Sequence, residues 1–260
     1  MNIQSHLKIT KKQISPYVLL PGDPNRVDVI GSRLDDFKII ANNREFRVGI
    51  GKYKGQQITI CSTGIGCPST AIAVEELINA GAQYLIRVGT CGGAWRSDIP
   101  AGTLIIPTAS VRDEGTTQEY IPLGFPAIAD RAIVEALASA AIKMDIPFAE
   151  GINRTHDAFY GSTETITKWG KYLKDARWQN ADTPVISSEM ESAALFIIAS
   201  LRGIKAGAIF AVNANQESLK DRVLGKQLPV TMETSAKATK KVVDHMIAVA
   251  LEAMYSLSTQ

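Results

Sequence analysis

The sequence predicts a single α/β domain with a central sheet flanked by helices. Short apolar, β-branched runs alternate with helical patterns along the chain. The length of 260 residues suits one large domain, and no repeat, low-complexity segment or linker divides the sequence. Alternating strands and helices predict parallel strands joined by crossover helices. We therefore expect one domain over residues 1–260.

The predicted strands are short apolar runs, and two of them end in turn-forming sequences. The first strand ends in Pro21-Gly-Asp-Pro24 and the second in Thr63-Gly-Ile-Gly66. Ligands of open α/β sheets bind beyond the carboxyl ends of the strands, so these loops are candidate binding elements. The five predicted strands cover residues 18–20, 57–62, 84–88, 103–107 and 206–212.

The predicted helices carry apolar residues at a spacing of three and four. Gly81 follows the first of them and is a plausible C-cap. The last helix has an apolar face that should pack on the sheet. The polar segment 161–184 lacks such a pattern and is expected to form a lid or an insertion near a site. The predicted helices cover residues 69–79, 133–141, 189–201 and 230–257.

Composition excludes several classes of protein. The net charge of +2 gives no indication of a nucleic-acid partner or an anionic membrane surface. The amino terminus lacks the apolar region of a signal peptide, and the apolar stretches are too short to span a bilayer. The three cysteines lack paired spacing and the three histidines are dispersed. We therefore expect a cytoplasmic protein with neither disulfides nor a metal site.

The segment from Tyr84 to Gly93 is the most informative part of the sequence. Arg87 lies inside an apolar strand, where an arginine needs a partner. The glycine-rich turn that follows can bring backbone N–H groups close to an anion, and Thr90 lies beside it. The segment alone indicates two structures equally: a phosphate site, or a core strand whose arginine is paired with a structural carboxylate.

Two further loops contain candidate anion-binding groups. In the first, Gly22 permits close approach of a ligand to the backbone, and Arg26 supplies a positive charge. The second, residues 63–69, precedes a helix whose N–H groups are available to an anion. Taken alone, the first loop is better explained as an ordinary turn, and a helix N-cap is an equally simple explanation of the second. Neither a Walker A loop nor a dinucleotide-binding fingerprint is present, which disfavours a nucleotide-cofactor enzyme.

Two carboxylates, Glu189 and Glu191, lie at the start of a predicted helix. The helix dipole favours acidic residues there and is the simple explanation for one of them. Because they are two residues apart, we expect them on different faces of the helix, so they need not share a role. A carboxylate held in a cleft could instead accept hydrogen bonds from the vicinal hydroxyls of a sugar.

Together these loops resemble the nucleoside phosphorylase family, which contains uridine phosphorylase and the hexameric purine nucleoside phosphorylases. The resemblance covers nearly the whole chain and implies a mixed central sheet surrounded by helices, with subunits that share their sites. The matching segments are His6-Leu-Lys-Ile-Thr-Lys, Leu20-Pro-Gly-Asp-Pro-Asn-Arg-Val27, Asn43-Arg-Glu-Phe46, Cys61-Ser-Thr-Gly-Ile-Gly66, Arg87-Val-Gly-Thr90, Phe125-Pro-Ala-Ile-Ala-Asp130 and Ser188-Glu-Met-Glu-Ser192.

The resemblance assigns five residues to phosphate. Gly22 and Arg26 correspond to the family's Gly-Asp-Pro loop, and Arg87 and Thr90 to its Arg-x-Gly-Thr segment. Arg44 corresponds to an arginine that a neighbouring subunit supplies. Three arginines would screen the dianion and direct it at C1′ of the sugar.

The sugar and base residues also follow from the resemblance. Met190 and Glu191 would bind ribose, with Glu189 nearby, and His6 of a neighbouring subunit would reach the sugar's 5′ end. Phe159 corresponds to the aromatic wall of the pocket. Arg87 and Glu191 are the expected catalytic residues.

The implied reaction is attack of phosphate on C1′, which releases the base and forms ribose 1-phosphate through an oxocarbenium-like transition state. Inorganic phosphate is then a co-substrate, and the resemblance implies no metal or organic cofactor. The implied assembly is a homo-oligomer built from dimers, within a hexamer.

The base pocket departs from both branches of the family. Uridine phosphorylases carry a Gln and an Arg shortly after the pair that matches Phe159-Tyr160, and this chain has neither. Purine enzymes carry an Asp where this chain has Asn213, whose amide suits the N7 and O6 atoms of a 6-oxopurine. We therefore expect inosine or guanosine as substrate.

Uridine is the alternative substrate, because Asn215-Gln-Glu217 resembles a segment of some uridine phosphorylases. Two remoter alternatives are a nucleosidase that uses water in place of phosphate and a nucleoside sensor without turnover.

Overall fold

The structure is a computed structural model that describes residues 3–92, 99, 102–159, 185–214 and 232–259, with only the backbone at 213, 214 and 232–239. The strands are β1 Tyr17–Leu20, β2 Asp35–Asn43, β3 Phe46–Tyr53, β4 Gln56–Cys61, β5 Tyr84–Gly92, β6 Leu104–Asp113, β7 Ala127–Ile128, β8 Phe148–His156, β9 Val185–Glu189 and β10 Lys205–Ala214. The helices are α1 Pro24–Gly31, α2 Cys67–Ala80, α3 Thr116–Tyr120, α4 Arg131–Lys143, α5 Ser192–Arg202 and α6 Met232–Ser258.

The strands form one mixed, ten-stranded sheet in the order β10-β6-β8-β9-β5-β1-β4-β3-β2, with β7 paired to β6. Strand β10 also pairs with β5, so β5, β10, β6, β8 and β9 form a closed ring of pairings. Strand β5 runs parallel to β1 and β10, whereas β9 meets it antiparallel at its end. The expected mixed sheet flanked by helices is confirmed.

The predicted elements are present with adjusted ends. Gly81 ends α2 in the left-handed conformation, with φ of 108°, as expected of a C-cap glycine. Strand β5 continues to Gly92, beyond the predicted end at residue 88. The elements that were not predicted are strands β2, β3, β7, β8 and β9 and helices α1 and α3. Strand β3 contains Gly49 and Gly51, which weaken a sequence signal for strand, since Gly is depleted in strands.

The prediction of a helix over residues 189–201 was wrong at its start. Glu189 is the last residue of β9, where it pairs with Thr155 of parallel strand β8. Glu191 is the residue before α5 and has a non-helical φ of −137°. Both carboxylates therefore precede the first turn, although Glu189 still accepts a hydrogen bond from the backbone nitrogen of Ser192, the first residue of the helix.

The core lies between the sheet and the helices, and α6 packs against α4 and β10. Strand β10 approaches α4 closely at Gly207, where a Cβ atom would overlap Cγ2 of Ile133. Cys61, Cys67 and Cys91 are free and buried. In the described part of the chain, no helix is both long enough and apolar enough to cross a membrane.

Candidate active site

The loops after β1 and β4 are joined by backbone hydrogen bonds. Thr63 N donates to Pro21 O at 2.9 Å, and Gly64 N donates to Gly22 O at 3.0 Å. A Cβ atom on Gly22 would lie 3.2 Å from Gly64 O, which is tighter than an ordinary contact. Glycine at position 22 therefore lets the two loops lie side by side at the carboxyl ends of their strands.

Arg87 lies on β5 next to these loops, opposite Leu20 of β1, and is 5% exposed. Its Nε donates to Glu189 Oε2 at 3.0 Å, and its Nη2 donates to Glu191 Oε2. Burial opposes the charged form, but the two carboxylates outweigh it, so the pKa of Arg87 is raised. The alternative of a buried arginine paired with structural carboxylates is thus part of the observed arrangement.

One nitrogen of Arg87 remains available. Nη1 is buried and has no hydrogen-bond partner among the described residues. A Cβ atom on Gly22 would lie 3.7 Å from it, so this nitrogen lies beside the Gly-Asp-Pro loop. A buried guanidinium N–H without a partner is costly. A bound anion would remove that cost, because it would accept a hydrogen bond from Nη1.

Arg26 brings a second positive charge to the same place. It lies on α1, and its Nη1 is 3.4 Å from Val88 O, one residue beyond Arg87. Burial and then the charge of Arg87 lower the pKa of Arg26. Two guanidinium groups that repel each other beside a glycine loop form a site in which an anion would be stabilised by both. Thr90 is half-buried near the end of β5, opposite Ala211 of β10.

The carboxylate of Glu189 is fully occupied by protein donors. Oε1 accepts hydrogen bonds from Asn153 Nδ2 at 2.9 Å, Thr155 Oγ1 at 2.8 Å and Ser192 Oγ at 2.7 Å. Oε2 accepts from the backbone nitrogens of Glu191 at 2.9 Å and Ser192 at 3.0 Å in addition to Arg87. Burial raises its pKa, but Arg87 and these hydrogen bonds outweigh it and lower the pKa. This ionised group orients Arg87, and its assignment to ribose stays a prediction.

Glu191 has fewer protein partners than Glu189. Its Oε1 accepts from Gly66 N at 2.7 Å, and its Oε2 is shared between Arg87 and Met190 N at 3.3 Å. Burial and the charge of Glu189 raise its pKa, although Arg87 acts in the opposite direction. Glu191 and Glu189 therefore converge on one guanidinium, so the two carboxylates share a partner.

Residues His6 and Arg44 lie together in a second cluster. Arg44 is exposed in the turn between β2 and β3, and both residues lower the pKa of Glu45, after the larger effects of a backbone hydrogen bond and Ser69. Glu45 Oε1 accepts from Ser69 Oγ at 2.8 Å. The structure thus groups His6 and Arg44 with the loop of residues 63–69.

The base residues are described only in part. Phe159 lies three residues beyond β8 and is 62% exposed. Asn213 lies on β10, next to Val212, which pairs with Cys91 of β5; the placement of its side chain lies outside the described residues. The predicted lid at residues 161–184 and the segment 215–217 also lie outside them.

Sequence reasoning missed the polar residues beneath the site. Asn153, Thr155 and Ser192 hold Glu189, and Ser110 contacts Ser192 and Asn153. Asn153 and Thr155 are two residues apart on β8, so they lie on one face of the strand. The sequence signal that could have revealed these residues is the pair of polar side chains at alternate positions of β8. Among the described residues, no group of three or more histidine, cysteine or acidic side chains is placed to hold a metal ion.

Comparison with known proteins decides the family. The family model of the phosphorylase superfamily matches residues 16–248. The chain belongs to the phosphorylase superfamily. The expected resemblance is thereby confirmed.

Similar members of this superfamily carry different names. The chain is 38% identical over 212 residues to guanosine phosphorylase of Halorubrum lacusprofundi, covering 82% of this chain and 83% of that protein. It is 41% identical over 220 residues to uridine phosphorylase of Thermococcus kodakarensis, covering 82% and 78%. The crystal structure of uridine phosphorylase from Vibrio fischeri superposes with a TM-score of 0.85 at 33% identity, covering 98% of both chains. The chain described by the present structure is therefore an enzyme of the pentosyltransferase class.

Proposed function

We propose that this protein catalyses the phosphorolysis of nucleosides, with 6-oxopurine nucleosides such as inosine and guanosine as preferred substrates. The observation that carries the proposal is the buried Nη1 of Arg87, which lies near Gly22 and Arg26 and has no hydrogen-bond partner among the described residues. Such a site suits a phosphate dianion, which accepts several charge-assisted hydrogen bonds. Water would not need two guanidinium groups, so the arrangement favours a phosphorylase over a nucleosidase.

The reaction would need few protein groups. A phosphate oxygen forms the new bond to C1′ while the C1′–N bond breaks, and that bond's electron pair leaves with the base, which then takes up a proton. Arg26 and Arg87 would hold and orient the phosphate dianion, whose negative charge stabilises the positive charge that develops on the sugar in the oxocarbenium-like transition state. Glu191 would exchange part of its hydrogen bonding with Arg87 and Gly66 for the sugar's hydroxyls. We propose no resident metal or organic cofactor for these steps.

The base preference rests on Asn213 and on one relative. An amide can donate to O6 or N7 of a 6-oxopurine and can accept from a protonated N7. The relative from Halorubrum lacusprofundi is named guanosine phosphorylase. Uridine is the second candidate, because the relative from Thermococcus kodakarensis is named uridine phosphorylase.

We also propose a homo-oligomer in which His6 and Arg44 complete a neighbour's site, with a dimer as the unit of a hexamer. His6 is 42% exposed in its side chain and Arg44 is exposed, so both are available to another subunit. The cytoplasmic location stays a prediction.

A substrate panel tests the function. Purified protein is assayed with inosine, guanosine, adenosine and uridine, with saturating phosphate and without phosphate. We expect release of free base only with phosphate, with the largest kcat/KM for inosine or guanosine. Equal base release without phosphate would establish a nucleosidase, and a larger kcat/KM for uridine would overturn the base preference. Failure to turn over any nucleoside would favour the sensor.

A further inference from the structure

The amino-terminal segment around His6 is fixed to the body of the subunit. Gln4 N donates to Ile9 O at 2.9 Å and Lys8 N to Gln4 O at 3.2 Å, which closes a compact turn. Leu7 and Ile9 are fully buried. The side chain of His6 is 42% exposed, so this turn presents an imidazole to the outside while its neighbours anchor the chain.

The carboxylate of Glu76 on α2 accepts hydrogen bonds from the backbone of this turn. Glu76 accepts from His6 N at 2.9 and 3.0 Å and from Leu7 N at 2.7 Å. Its Oε1 also lies 2.7 Å from His6 Nδ1. Glu76 is 8% exposed, and the reaction proposed above does not use it.

The charge of Glu76 fixes the direction of the hydrogen bond to the imidazole. Burial raises its pKa, but the hydrogen bonds from Leu7 and His6 outweigh burial and lower the pKa below its ordinary value. An ionised carboxylate can only accept, so Nδ1 of His6 must carry a hydrogen. In the neutral imidazole Nε2 is then the acceptor, because only one ring nitrogen keeps its proton.

We infer that Glu76 is a positioning residue that holds His6 in the Nδ1–H form, so that Nε2 accepts a hydrogen bond from the 5′-hydroxyl of a nucleoside bound in a neighbouring subunit. This inference rests on the proposed function for its substrate. The orientation of His6 follows from contacts within one subunit. The ring of Phe46 lies edge-on to the imidazole, with 6.4 Å between the ring centroids.

The ring's protonation state can be measured without turnover. Solid-state ¹⁵N NMR of histidine-labelled protein, with the His6 signals assigned from their loss in His6→Gln, reports which nitrogen of the neutral ring is protonated. We expect Nδ1–H in the parent protein and mainly Nε2–H in Glu76→Ala. Glu75→Gln is the matched control, since Glu75 is the neighbouring carboxylate of α2 and pairs with Arg202 instead. Finding Nε2–H in the parent protein would overturn the inference.

Substrate discrimination tests the link to the sugar. Glu76→Ala should lower kcat/KM for the best nucleoside by roughly fivefold to tenfold, as expected for one lost hydrogen bond. The 5′-deoxy analogue of that nucleoside should lose less than about twofold, because it has no hydroxyl to orient. His6→Ala should show the same selectivity, and the double variant should lose no more than either single variant.

Equal losses for the two substrates would show a purely structural role and sink the inference. If Glu76→Ala does not fold, Glu76→Gln replaces it, since an amide keeps the shape but cannot accept at both positions. Absence of turnover on every nucleoside would instead refute the proposed function, and the NMR result would still decide whether Glu76 sets the state of His6.

Discussion

At the scale of single residues, Arg87 pairs with two carboxylates and also presents one nitrogen to the loop that contains Gly22. Its Nε and Nη2 are used by Glu189 and Glu191, which fix the plane of the guanidinium. Its Nη1 has no partner among the described residues and lies beside Gly22. The two carboxylates stabilise the buried charge, and the remaining nitrogen can bind a ligand without any change in the orientation of the side chain.

Arg87→Lys should therefore impair the reaction strongly, although the substitution keeps the positive charge. An ammonium group cannot bond Glu189, Glu191 and phosphate in one plane, because it lacks the rigid fork of the guanidinium. We expect kcat/KM for phosphate to fall about 10²-fold or more, comparable to loss of an oxyanion donor. Steady-state kinetics with phosphate varied measures this. Arg202→Lys is the control, since Arg202 pairs with Glu75 on the surface, and retention of normal phosphate kinetics in Arg87→Lys would contradict the assignment.

At the scale of secondary structure, the site depends on how closely the strands and helices pack. Gly207 of β10 faces Ile133 of α4 with no space for a methyl group. The same strand pairs with β5 along its length, with Ala208 opposite Arg87. A shift of β10 away from α4 would therefore move the strand beside Arg87.

Gly207→Ala should destabilise the fold by about 1–3 kcal/mol, because the added methyl group would overlap a branched side chain that has little room to move. Thermal unfolding of the purified variant measures the change. Gly124→Ala is the matched control, since a Cβ atom there would meet nothing within 4 Å. Equal melting temperatures for the two variants would show that α4 adapts to the extra volume.

The elements that the sequence predicted well are those with local signals. The apolar run of β5, the position of Arg87 within that run and the C-cap Gly81 can each be predicted from neighbouring residues. The role of Glu189 was not predictable in this way, because its partner Asn153 is 36 positions away on another strand. The helical pattern after Ser192 also extends naturally backwards over Glu189, and only the pairing of β9 with β8 ends it.

At the scale of the whole molecule, the proposed phosphate ligands divide into two groups. Arg26 of α1 and Arg87 of β5 lie together beside the carboxyl end of β1, whereas Arg44 is exposed in the turn between β2 and β3. The proposed assembly joins the second group of one subunit to the first group of another.

Mixing two damaged proteins should therefore restore activity. Arg44→Ala and Arg87→Ala each impair every site in their own homo-oligomers. In a mixed dimer, one of the two sites receives Arg87 from one subunit and Arg44 from the other. Random pairing after joint refolding should restore about a quarter of the parent activity, since about half of the dimers are mixed and half of their sites are intact. No gain over the separate variants would show that each subunit completes its own site.

The burial of all three cysteines has a practical consequence for such experiments. Cys61, Cys67 and Cys91 are buried, and burial raises the pKa of each thiol. Since the thiolate is the reactive form, the native thiols should resist alkylating dyes and air oxidation while the fold is intact. A cysteine introduced at an exposed position such as Ile142, which is 69% exposed, would then be the only fast-reacting thiol. Subunits could be fluorescently tagged at one chosen position, and their exchange followed by energy transfer, in the otherwise unaltered protein.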